Sequence, residues 1–171
     1  DFALALRELR TYRRITGRDD QLPMMVDCER GLGRPDKALE LARAVPKGTL
    51  PVPVQVELAI AMSGARLDLG QTEAALRELE IPQLDPSKAF SWSPDLFGAY
   101  AVVLDELGRT EESAQWLRRS EVAAEALGLD DDGDDDFDVV DLEDEDPDVE
   151  RDAVAVERAE PEPAVSDDVI A

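Results

Sequence analysis

The sequence has no histidine, one cysteine and only three lysines among 171 residues. Without histidine, the usual base for a serine or cysteine nucleophile and the commonest nitrogen ligand for zinc are both missing, which excludes triad hydrolases and standard zinc sites. The single thiol, Cys28, can form no internal disulfide and fits a reducing, cytoplasmic compartment. There is no run of about 18 apolar residues, so no membrane-spanning helix is expected. Phosphate-binding and nucleophile signatures are absent as well: no Walker loop, no Gly-x-Gly-x-x-Gly and no Ser-x-x-Lys. These gaps point away from an enzyme and imply neither cofactor nor metal.

What is abundant is negative charge, and it is unevenly spread. Residues 130–171 hold twenty acidic residues against Arg151 and Arg158, so most of the formal net charge of −23 belongs to this stretch. The part before it is only mildly acidic. Like charges at that density repel, and too few apolar residues are present to offset chain entropy, so a disordered acidic tail is expected over 129–171 behind a folded domain over 1–128. Within the tail, Phe137, Val139, Val140 and Leu142 stand among Asp residues and form one acidic-hydrophobic stretch able to fold onto a partner or back onto the arginine-bearing helix. The run LDDDGDDDFDVV suggests a calcium loop, but setting Gly133 at the sixth position puts Gly128 at the first and Val139 at the twelfth, where carboxylates belong.

The ordered part is organised around residues 58–81, LAIAMSGARLDLGQTEAALRELEI. Apolar residues recur at helical spacing through Leu58, Ile60, Ala61, Ala65 and Leu69, stop at Gly70, and resume through Ala74, Ala75, Leu76 and Leu79. That pattern describes one helical hairpin. The same Leu-Gly-polar punctuation stands at Leu32-Gly33-Arg34 and Leu107-Gly108-Arg109, and five residues after each glycine comes a small residue: Ala38, Ala75 or Ser113. Glycine spacings of 37 and 38 residues fall in the range of helix-pair solenoids. Residues 1–128 should therefore be helical without strands.

Taken in order, residues 2–16 read as a helix with Phe2, Leu4, Ala5, Leu6, Leu9, Tyr12 and Ile15 on one broad apolar face, closed by Gly17. Its other side carries Arg7, Arg10 and Arg14, a solvated basic face or a nucleic-acid patch. Gln21–Leu32 and Lys37–Val45 form the next pair, and PKGTLPVP reads as a stiff, extended linker. A second irregular connection, IPQLDPSKAFSWSP, holds Phe90 and Trp92, which are expected to pack onto helix ends rather than stack on a ligand. Ser93 and Pro94 suit the N-cap and first position of a helix running to Leu107. The last helix, 111–127, presents Ala114, Trp116, Leu117, Val122, Ala123, Ala126 and Leu127 as its inner face. Cys28 sits among apolar helix positions, where a thiol serves as packing.

With glycine near the end of each first helix and a small residue early in each second, residues 1–128 resemble the tetratricopeptide repeat. Ala38, Ala42 and Ala75 fit the second-helix pattern, as do Phe2 and Ala5, while Ser63 and Ala101 fit the small position seven residues before the glycine. Ser113 departs from the expected alanine. The whole chain also resembles a group of actinobacterial tetratricopeptide-repeat proteins with acidic C-termini. The resemblance implies an all-α, helix-pair solenoid of about three and a half hairpins, in which residues 2–16 are a second helix lacking its first, so that Phe2, Leu6 and Leu9 are partly uncovered or buried against another copy.

The resemblance further implies that first helices line a concave groove. Carried over residue by residue, the lining is Asp20, Pro23, Asp27, Arg30 and Gly31, then Glu57, Ile60, Gly64, Leu67 and Asp68, then Asp95, Gly98, Val102, Asp105 and Glu106. Such an acidic groove suits a basic peptide or an arginine-bearing helix of a partner protein. The other reading is a ribosome- or nucleic-acid-associated factor that uses Arg7, Arg10 and Arg14 and is modulated by the acidic tail.

Overall fold

The computed structural model describes residues 1–128 and 140–141. Its helices are α1 (Phe2–Thr16), α2 (Leu22–Gly31), α3 (Pro35–Arg43), α4 (Val52–Asp68), α5 (Thr72–Leu79), α6 (Ser93–Glu106) and α7 (Thr110–Ala126). Two short strands accompany them, β1 (Lys88–Ala89) and β2 (Val140–Asp141). The described chain is thus essentially all-helical, with one correction: the connection before α6 contains β1, which pairs antiparallel with β2. The remaining residues of the expected acidic tail, including the calcium-loop-like run up to Val139, lie outside the described residues.

The three glycine joints have one and the same geometry. Gly33, Gly70 and Gly108 have φ of 70°, 68° and 74°, a left-handed conformation that glycine adopts without a Cβ penalty. At each joint the glycine N–H donates to the carbonyl three residues back, Arg30, Leu67 or Asp105. The next N–H, from Arg34, Gln71 or Arg109, reaches five residues back to Glu29, Arg66 or Leu104 at 2.9 Å. This pair of bonds satisfies carbonyls that the ending helix leaves open. The residue after the glycine then starts the following helix, its carbonyl accepting from Ala38, Ala75 or Ser113. Ala38 and Ala75 are fully buried. Ser113 uses its hydroxyl to donate to the Ala101 carbonyl at 2.8 Å, which explains why serine stands where alanine was expected.

Helices pack in chain order, α1 on α2, α2 on α3, α4 on α5 and α6 on α7, while α2, α4 and α6 also pack on one another in sequence. The core is correspondingly drawn out along the stack. One part joins α1 to α2 through Leu6, Met25 and Cys28, and a second fills the space between α2, α3 and α4 around Leu22, Leu39 and Leu58. A third lies between α4, α5 and α6 around Val56, Leu79 and Leu104, and a fourth unites Ala89, Phe97 and Ala123.

Several expectations need correction. The stretch PKGTLPVP is shorter as a linker than its prolines suggested: a 3₁₀ turn covers Lys47–Thr49, and Pro53 lies inside the first turn of α4. Proline is tolerated there because its missing N–H would have no helical partner. Ser93 does not cap α6; its Oγ accepts from the Phe90 N–H at 2.9 Å and donates to the Lys88 carbonyl at 3.4 Å. On α7 only Ala123 is buried, with Trp116 and Leu127 half-buried, whereas Ala114, Leu117, Val122 and Ala126 face solvent. No helix follows on that side among the described residues to cover them. On α1, Leu6 is covered from within by Met25 and Cys28, while Phe2 remains half-exposed with its ring lying over Gly31.

Candidate functional site

Because α2, α4 and α6 stack side by side, residues at their N-terminal halves share one open groove of about 630 Å³. Pro23, Met24 and Asp27 come from α2, Glu57 and Ile60 from α4, and Pro94, Asp95, Gly98 and Ala99 from α6. Ser120 of α7 closes one end, its Oγ donating to the Pro94 carbonyl at 2.7 Å. Prolines at the helix starts and small residues at 98 and 99 keep backbone close to the groove floor, and Met24 and Ile60 give it apolar patches. Each of the three helices adds a carboxylate.

These carboxylates differ in their partners. Asp27 is paired with Arg30 at 2.8 Å, and Arg30 also reaches Asp68 of the neighbouring helix at 2.8 Å, tying α2 to α4. The Arg30 guanidinium lies over Gly64, where any Cβ would collide with it. Although partial burial works against its charge, the hydrogen bonds to Asp68 and Asp27 hold Arg30 more firmly protonated than a free arginine. Glu57 and Asp95 have no ion-pair partner among the described residues. Partial desolvation, and then the Asp95 charge facing it, push the Glu57 carboxyl above the ordinary glutamate range.

Of the residues expected in the groove, the structure brings together Pro23, Asp27, Glu57, Ile60, Asp95 and Gly98. Arg30 and Asp68 lie beside it but spend their charges on one another and on Asp27. Leu67 is half-buried against the α4–α5–α6 core, and Val102, Asp105 and Glu106 are exposed further along α6. Asp20 belongs instead to the end of α1, accepting from the Tyr12 hydroxyl at 3.2 Å and pairing with Arg18 at 3.1 Å. Met24, Pro94, Ala99 and Ser120 were missed, Ser120 because a transfer by repeat position considers first helices alone. Arg7, Arg10 and Arg14 do share a shallow depression of about 350 Å³ on α1. Two of them are already paired, Arg7 with Glu8 at 3.1 Å and Arg10 with the buried Glu29 at 2.8 Å.

Phe90 stacks on Trp92 with centroids 4.7 Å apart, and Trp92 packs against the core between α5 and α6, so this pair closes a loop onto helix ends. Cys28 is buried, and that burial, followed by the charges of Asp27 and Glu29, raises its thiol pKa and keeps it protonated. Among the described residues no group of three metal-ligating side chains converges, and no helix is long and apolar enough to cross a membrane. No family model matches the sequence, and no curated protein or solved structure is significantly similar to it.

Proposed function

We propose that the chain is a non-catalytic, tetratricopeptide-like scaffold of the cytoplasm whose groove binds a basic partner segment, extended or helical. The observation that carries this reading is that Glu57 and Asp95, from consecutive stacked helices, face one groove and have no cation of their own among the described residues. A partner arginine between them would relieve their mutual repulsion and replace lost hydration with charge-assisted hydrogen bonds. The apolar surface of Met24 and Ile60 would take the aliphatic part of the same segment.

The test uses the full chain and a fluorescein-labelled ten-residue peptide of alternating arginine and leucine, followed by fluorescence anisotropy. The double variant Glu57→Gln/Asp95→Asn should weaken binding about tenfold or more, equivalent to roughly 1.4 kcal/mol. Helicity should stay unchanged. Equal affinity for the two proteins would remove the groove from consideration. The ribosome- or nucleic-acid-associated reading draws support from the shared depression of Arg7, Arg10 and Arg14, but pairing of the first two leaves Arg14 as its main cation with no ion-pair partner among the described residues. If that reading holds instead, Arg14→Ala should reduce RNA binding and flatten its salt dependence.

A further inference from the structure

The connection between α5 and α6 contains an edge that the groove does not use. Asp85 Oδ1 accepts from the Ser87 N–H at 2.9 Å and from its hydroxyl at 2.6 Å, making a tight turn that sends the chain into β1. Beyond the turn, Ser93 holds one side of the strand, receiving the Phe90 N–H and donating to the Lys88 carbonyl. Backbone groups of successive strand residues point to opposite sides, so the Ala89 N–H and carbonyl lie on the side Ser93 does not reach. The Ala89 side chain is fully buried with Phe97 and Ala123, which fixes the strand on α6 and α7. The result is a short, rigid edge with one donor and one acceptor on offer. The register sets Val140 opposite Ala89 and Asp141 opposite Lys88.

We propose that the Lys88–Ala89 edge is a strand-addition site for an extended segment of mixed acidic and apolar residues, and that its resident occupant is the chain's own stretch centred on Val140–Asp141. The sequence there, DFDVVDL, has that mixture. Main-chain bonds supply the attachment, and the lysine selects an acidic segment. This site is independent of the groove reading.

Amide hydrogen exchange in the full chain tests it, read residue by residue by NMR. Val140→Pro removes the backbone donor opposite Ala89 without touching the body. The Ala89 amide should exchange about fivefold or more faster in that variant, while the Phe90 amide, held by Ser93, keeps its rate. Adding a synthetic peptide of residues 135–144 to the variant at millimolar concentration should restore Ala89 protection, and a scrambled peptide should not. Unchanged Ala89 exchange would overturn the proposal. So would parallel loosening of Ala89 and Phe90, rescue by the scrambled peptide, or protection in the unaltered chain that rises with protein concentration, which would assign the edge to a second copy.

Discussion

Gly70 has a φ of +68° with nothing within 4 Å of where a Cβ would sit, so the cost of a side chain there is a backbone cost alone. Gly70→Ala should destabilise the fold by about 1–2 kcal/mol, the penalty of a left-handed L-residue. Gly64 is different, because it lies inside α4 and its missing Cβ makes room for the end of a flexible Arg30 side chain. Alanine there gains roughly 1 kcal/mol of helix propensity. It also displaces partly exposed ion pairs worth about 0–1 kcal/mol. Gly64→Ala should therefore leave stability within about 1 kcal/mol of the parent by the same ledger. Urea unfolding of the two variants separates the cases, and an equal loss in both would mean that Arg30 carries more than its geometry suggests.

At the scale of the element, α4 serves both the stack and the groove, and its acidic residue makes a pH signature. The folded state raises the Glu57 pKa, so the protonated form is the better accommodated one. Its contribution is fully present below the unfolded pKa and is lost as pH rises through the folded value. Glu57→Gln should then raise the melting temperature at neutral pH and change it little near about pH 3.5, where the parent is already protonated. A difference that stays constant across that range would contradict the assigned cause. The helices and joints were legible in the sequence because periodicity and glycine placement are local. Ser93 looked like a cap because serine before proline fits one, yet its hydroxyl is engaged by the loop behind it. The exposure of Leu117 and Val122 was not legible, since an amphipathic pattern says which face is apolar and not whether anything covers it. β1 was hidden for a related reason: two residues give no period, and its partner lies more than fifty positions away in sequence. For the groove, Glu57 and Asp95 could be named from repeat position, whereas the mutual neutralisation of Asp27, Arg30 and Asp68 depends on how two helices approach.

At the scale of the whole molecule, core contacts run between neighbours along the stack, so damage should stay local. Ala75 is fully buried where α5 meets α4, and Ala75→Leu should cost about 1–3 kcal/mol through overpacking. Hydrogen exchange measured by mass spectrometry should show protection falling most in α4, α5 and α6 and least in α1. Uniform loss throughout would indicate a single cooperative core instead. The three glycine joints also act as a ruler. Each repeats the same two bonds, and each leaves the space around its glycine empty, so the joint between the two helices of one hairpin is interchangeable with that of another. A second copy of residues 34–70 spliced in after Gly70 would meet its neighbours through a seam the fold already makes. The groove would lengthen by one helix, and the span of ligand it could grip would grow by a fixed increment, as a vernier advances by one division.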